Sequence, residues 1–245
     1  MCLRCEAFSA DNTAVSATRR HFLKFAGAAA AGLSLPVGAF AQGGPPRPQN
    51  VLSPDDALKR LMSGNRRYVR GVAKRHDFKA EREPLTHGQN PYAGILSCAD
   101  SRIAPEYAFD SSRGDLFVCR VAGNFANDDI IASFEYGIAV LNTPLIMVLG
   151  HRACGAIDST IKSIKDGTTL PGHLPSLVSA LSPAVKAVAD QSGNMLDNAI
   201  KKNVALNVEK LKGATPIIDK AVADKKVLIV GGVYNLDNGR VELLS

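Results

Sequence analysis

Tryptophan is absent from this sequence, and aromatic side chains of all kinds make up only 6% of its 245 residues. Its lysines and arginines are scattered among acids, so no basic stripe is interleaved with stacking rings of the sort that grips nucleic acid. The formal charge of +6 does not alter this, because residues 1–41 supply +2 of it through Arg4, Arg19, Arg20 and Lys24 against Glu6 and Asp11. Beyond residue 41, no apolar run approaches the ~18–20 residues that a membrane-spanning helix needs. Cysteine is sparse, five in all. No internal repeat is present. What remains is 46% hydrophobic and 21% charged, the balance of an ordinary globular chain.

The first 41 residues read as an address. Thr18-Arg19-Arg20-His21-Phe22-Leu23-Lys24 is a charged opening, Phe25 to Val37 an apolar small-residue stretch, and Ala39-Phe40-Ala41 a cleavage site. The paired arginines resemble a twin-arginine export signal, which implies a periplasmic protein whose mature chain begins near Gln42. Cys2 and Cys5 precede the signal and are expected to leave with it. Residues 42–52, with Gly43-Gly44-Pro45-Pro46-Arg47-Pro48, form a stiff linker. Residues 53–245 then form one domain of ~200 residues, enough for a sizeable core.

Strands alternate with helices along that domain. Ser53 caps a helix with Pro54 at its first position and acids in its first turn, running to about Arg70. Gly71 to Pro91 is polar and irregular, and its His76 and His87 are set aside as solvent-facing. Ala93–Ser97, Asp115–Val121, Pro144–Leu149 and Val227–Gly231 read as buried strands. Ile131, Phe134, Ile138 and Leu141 recur at helical spacing after Asp128. A helix is expected from Gly155 to Ile164, helix-like sequence from Pro175 to Gly213 with breaks near Pro183 and Gly193, and a short helix from Pro216 to Ala223. Asp237-Asn238-Gly239 turns the last strand into an edge hairpin. The expected fold is α/β: a mostly parallel central sheet flanked by helices, with an amino-terminal helical extension and an antiparallel hairpin at the carboxyl end.

Two of the apolar runs end in chemistry. Cys98-Ala99-Asp100-Ser101-Arg102 follows the first strand, and His151-Arg152-Ala153-Cys154 follows the third. In an open parallel sheet the carboxyl edge is where ligands collect. Two cysteines and a histidine are a ligand set for catalytic zinc, with a fourth position for water or substrate. Asp100 lies close enough to reach the metal or its water, and Arg102 can pair with it in bidentate fashion. A disulfide between Cys98 and Cys154 is the competing reading in an oxidising compartment. Cys119, inside a β-type run, reads as a small buried hydrophobe.

Cys98-x-Asp100-x-Arg102 with His151-x-x-Cys154, Arg120-Val-Ala-Gly-Asn124 and the terminal Gly-Gly-Val-Tyr234 resembles the β-class carbonic anhydrases, over roughly Ser53 to Leu244. The resemblance implies a zinc lyase, one Zn2+ per subunit held by Cys98, His151 and Cys154. Its reaction would be reversible hydration of carbon dioxide to bicarbonate by a metal-bound hydroxide, with Asp100 accepting the hydroxide's hydrogen bond and Arg102 holding Asp100. It places Gln89 where plant-like members have a substrate-facing glutamine, and makes the Gly155 N–H a donor to bound oxygen. Some bacterial members bind inhibitory bicarbonate beside a tryptophan three residues before the first cysteine, with an arginine. Here Ile95 stands at the tryptophan position and Arg120 at the arginine, so an open, plant-like site is expected, with Arg120 structural. Family members are dimers or larger, so a homodimer or homotetramer is expected, the amino-terminal helix embracing its partner. His173 and Tyr107 are candidates for proton transfer. Hydrolysis of carbonyl sulfide or carbon disulfide on the same scaffold, or a non-catalytic periplasmic zinc-binding protein, are the alternatives.

Overall fold

Every second residue of the central strands faces the same layer, and the two resulting faces are both apolar. The computed structural model describes residues 51–244. The expected export signal and all but the last two residues of the linker lie outside the described residues. In chain order the elements are α1 (Pro54–Val69), α2 (Arg82–Leu85), β1 (Ala93–Ser97), α3 (Pro105–Ala108), β2 (Leu116–Arg120), α4 (Asp128–Ala139) and β3 (Leu145–His151). They continue with α5 (Gly155–Asp166), α6 (Leu174–Lys186), α7 (Met195–Lys212), α8 (Ile218–Ala223), β4 (Leu228–Tyr234) and β5 (Val241–Leu244). The sheet order is β2-β1-β3-β4-β5, parallel throughout except for β5, which pairs antiparallel with β4. This is the expected α/β architecture.

Strands β1 and β3 are buried along their whole length, as parallel strands covered on both faces must be. Leu96, Ile146 and Val148 point into one core with Phe134 of α4, Ile157 of α5, Leu181 of α6 and Val204 of α7. Their neighbours Ile95, Leu145, Met147 and Leu149 point into the other, with Ala57 and Leu61 of α1 and Phe109 after α3. The buried face of α1 therefore lies on its own domain's sheet. Asn65 of α1 is buried and fully engaged, donating to the Ala108 and Gly239 carbonyls and accepting from the Val241 N–H. It ties the first helix to α3 and to the carboxyl-terminal hairpin.

Three local expectations are corrected. Helix α6 runs through Pro183 to Lys186. The lost N–H falls within the final turn, where buried Leu181, Ala184 and Val185 hold the helix in place despite it. Cys119 is half-buried, because β2 is an edge strand and not a central one. The stretch from Gly71 to Pro91 contains α2, four residues with no buried side chain and hence no apolar signal in the sequence.

A Cβ at Gly64 would overlap the backbone carbonyl of Phe109. Gly64→Ala raises helix propensity, yet this overlap is expected to lower stability by about 1–3 kcal/mol. Urea denaturation measures it; a midpoint at or above wild type would show that α1 is not seated on Phe109.

Candidate metal centre

Parallel pairing of β1 with β3 sets Ser97 opposite Leu149. Cys98 therefore leaves β1 beside the point where His151, the last residue of β3, begins the next loop. Three residues on, Cys154 caps α5. Ala153 between them adopts a left-handed conformation, φ +52°, one that non-glycine residues take only when the surroundings impose it. One ligand atom each from Cys98, His151 and Cys154 lies within 4.8 Å of the others. All three residues are buried, His151 completely.

The imidazole is prepared for a metal. His151 Nδ1 lies 2.9 Å from the Arg152 carbonyl oxygen, so the proton sits on Nδ1 and the Nε2 lone pair is left free. Nε2 is buried with no hydrogen-bond partner, a costly arrangement unless something else binds it. The thiols complement it. The Cys98 pKa is drawn well below the ordinary thiol range, first by a hydrogen bond from Cys154, against the opposing effect of burial, and then by the Gly123 and Asp100 N–H groups. Cys154 is pushed up correspondingly, because it keeps the proton that Cys98 gives away and is itself desolvated. Of the two thiols, Cys98 is the one shifted toward ionisation. Two soft sulfurs and one imidazole suit zinc, and the orphaned Nε2 completes the fit. Among the described residues Cys98, Cys119 and Cys154 are free thiols, so the disulfide reading finds no support.

Asp100 and Arg102 face this cluster. Asp100 Oδ1 accepts from the Arg102 backbone N–H and Nε, both at 2.9 Å, and Oδ2 accepts from an Arg102 terminal nitrogen at 2.7 Å. That nitrogen also donates to the Ala153 carbonyl at 3.1 Å, so Arg102 bridges the two ligand-bearing loops. Asp100 Oδ2 lies 3.9 Å from His151 Nε2. The Arg102 guanidinium holds the Asp100 carboxyl far below the usual carboxylate range, with burial opposing and the Arg102 N–H assisting.

The loop after β2 supports the sulfur. Gly123 donates its N–H to Cys98 Sγ at 3.3 Å. Gly123 and Asn124 both have positive φ, +83° and +42°, and α7 grips this turn. Asn203 donates to the Gly123 carbonyl, Asn207 accepts from the Ala126 N–H, and Lys210 donates to the Ala126 carbonyl. Sequence reasoning missed this grip. Its trace was two asparagines four residues apart on the apolar face of α7 that carries Ile200, Val204 and Leu211.

The remaining candidates are dispersed. Gly155 opens α5 beside Cys154 and is exposed, with free space where a Cβ would stand. Gln89 lies elsewhere: it lines a cavity of about 380 Å³ with Arg60, Glu81, Asn90 and Asp115, residues that gather at the amino-terminal ends of β1 and β2. A five-residue strand, about 17 Å at ~3.3 Å per residue, separates that end from Cys98. His173 is an exposed residue preceding α6, and Tyr107 is 75% exposed on α3, in the lining of a different cavity with Tyr68 and Phe78.

A mostly parallel sheet with a buried Cys–His–Cys cluster at its carboxyl edge defines an α/β protein with a candidate metal site. Residues 93–241 match the family model described as carbonic anhydrase. Carbonic anhydrase 2 of Mycobacterium tuberculosis is 37% identical over 192 residues, covering 78% of this chain and 93% of that protein. The carbonic anhydrase of Mycolicibacterium smegmatis is 35% identical over 194 residues, 79% of this chain and 94% of that one. The Coccomyxa β-carbonic anhydrase, solved in complex with acetazolamide, superposes with a TM-score of 0.60 at 26% identity, over 76% of this chain and 86% of that one. The chain belongs to the β class of the carbonic anhydrase family and is an enzyme of that family.

Asn203→Leu leaves the Gly123 carbonyl without its donor and is expected to cost about 1–3 kcal/mol in denaturant unfolding. It should also speed zinc loss to a chromophoric chelator. Unchanged stability and zinc retention would show that α7 does not support the Cys98 loop.

Proposed function

We propose that this enzyme hydrates carbon dioxide reversibly to bicarbonate at a zinc ion held by Cys98, His151 and Cys154. The observation that carries the reading is the buried, unpartnered His151 Nε2 facing two thiols beside the Asp100–Arg102 pair. Zinc bound there supplies a Lewis acid that makes water nucleophilic near neutral pH. The protein's own groups do the rest. Asp100, kept ionised by Arg102, accepts the hydrogen bond that orients the attacking water, and with so low a pKa it does not retain the proton. Both Asp100 oxygens are engaged by Arg102, which supports reading the site as the open, plant-like kind. The Gly155 N–H, at the positive end of α5, is placed to receive developing charge on a substrate oxygen.

Gln89 serves such a site only from a second copy of the chain, since its own protomer holds it at the far end of the sheet; we read the active form as a homodimer or homotetramer. The relatives are named carbonic anhydrases, and none points to carbonyl sulfide, carbon disulfide or a non-catalytic zinc protein. Among the described residues no helix is long and apolar enough to cross a membrane. Residues 1–41 are read as a twin-arginine signal, 42–52 as a linker and 53–245 as the zinc domain, with the mature enzyme in the periplasm. The paired arginines followed by an apolar stretch support this.

Stopped-flow hydration of carbon dioxide tests the activity. Asp100→Asn should keep its zinc and lose about 10- to 100-fold in kcat/KM, the worth of one hydrogen bond to a charged group. Full activity in that variant would contradict the role given to Asp100. For export, Arg19→Lys with Arg20→Lys should leave the protein in the cytoplasmic fraction; undiminished periplasmic protein would refute the signal.

A further inference from the structure

No residue from 71 to 90 is buried, so an apolar core does not hold this segment between α1 and β1. The turn at 110–114, between α3 and β2, meets it instead, residue by residue and in order. Asp110 Oδ1 accepts from the Lys74 backbone N–H at 2.9 Å, and Ser112 Oγ lies 3.2 Å from His76 Nδ1. An Arg113 terminal nitrogen donates to the Phe78 carbonyl at 2.6 Å. Its Nε lies 3.7 Å from Glu81 Oε2, and its guanidinium carbon 5.8 Å from the centre of the Phe78 ring. Gly114 closes against Leu85: a Cβ there would stand 2.6 Å from Leu85 Cδ2. His76, expected to face solvent, is turned inward, its side chain 19% exposed and stacked on Phe78.

The turn is itself firmly held. Asp110 is buried in a left-handed conformation, φ +43°, which a non-glycine residue keeps only where its surroundings impose it. Arg67 of α1 donates from Nε to its Oδ2, and Asp115 Oδ2 accepts from the Ser112 N–H at 3.0 Å. Gln89 lines the same cavity as Ser112, Arg113 and Gly114, so the contacts run the length of the segment to that side chain. We propose that the 110–114 turn is a clasp that seats residues 72–90, with Arg113 a positioning residue that fixes where Gln89 stands for the site of a second copy. Arg113 joins a backbone carbonyl, a carboxylate and a ring through one planar fork, which an ammonium cannot reproduce. It acts through Gln89 and has no part in holding zinc. The proposal rests on the reading of Gln89 given above.

The test uses the full-length protein. Arg113→Ala should keep its zinc, and its kcat/KM for carbon dioxide should fall at least ~10-fold, short of the ~100-fold that misplacing a group by about 1 Å can cost. Gln89→Ala should match it, and the double variant should be no worse than either, because both remove the same contact. Trypsin should cut at Lys79 and Arg82 faster in Arg113→Ala than in wild type. A mixed dimer supplies a readout that a merely structural role would not move. One chain carries Arg113→Ala; the other carries Cys98→Ser with Cys154→Ser and so lacks both sulfurs. The zinc-bearing site then takes Gln89 from a chain whose clasp is intact, and activity per zinc should return to the wild-type level. Arg113→Lys should show the same defect, less severely, and carries the test should Arg113→Ala not fold. Wild-type kcat/KM in the arginine variants, a silent Gln89→Ala, losses that multiply in the double variant, or no recovery in the mixed dimer would each overturn the proposal. Absence of hydration by wild type would count against the function alone, leaving trypsin to judge the clasp; cleavage no faster than in wild type would overturn it.

Discussion

The parallel register of β1 on β3 is the constraint on which the centre depends. With Ser97 beside Leu149, the next residue of one strand and the last residue of the other come to the same edge of the sheet. Two buried, largely apolar strands make that register hard to alter, since a one-residue slip would exchange the side chains of the two cores. The ligands thus inherit their alignment from hydrophobic packing. A site built at the ends of rigid strands needs little from the loops except fine aim.

That aim comes from hydrogen bonds to the backbone. Arg102 joins the Asp100 carboxylate to the Ala153 carbonyl, Arg120 gathers three carbonyls of the neighbouring loop, and α7 holds the turn whose Gly123 N–H meets Cys98 Sγ. β2 and α7 thereby each have a contact leading to the donor set. Burying two thiols and an imidazole with a free lone pair is unfavourable without a cation. The same burial makes the cluster a strong receptor for one, and the Cys154 hydrogen bond shifts the Cys98 thiol toward ionisation.

Much of this was legible in the sequence because it was local. Apolar runs ended in Cys98 and near His151, Ser53-Pro54 announced α1, and D-x-R placed a carboxylate beside its own guanidinium. What could not be read was set by pairing between distant strands. The Arg120 contacts follow from the β1–β2 register, and the place of Gln89 follows from which end of the sheet its loop occupies. Asn203 and Asn207 looked like ordinary helix polar residues until α7 was laid against the turn at Gly123. Pro183 looked like a helix break, but packing of Leu181 and Val185 carried the helix past it. Cys119 looked central and proved to lie on an edge.

The central claim is that two sulfurs and one imidazole of this chain hold a zinc ion whose remaining position is open to light ligands. X-ray absorption at the zinc edge of the purified full-length protein tests it most directly. The account requires about two sulfur scatterers near 2.3 Å and about two nitrogen or oxygen scatterers near 2.0–2.1 Å, with one sulfur lost in Cys98→Ser. Four sulfurs, or a shell of light atoms only, would contradict it.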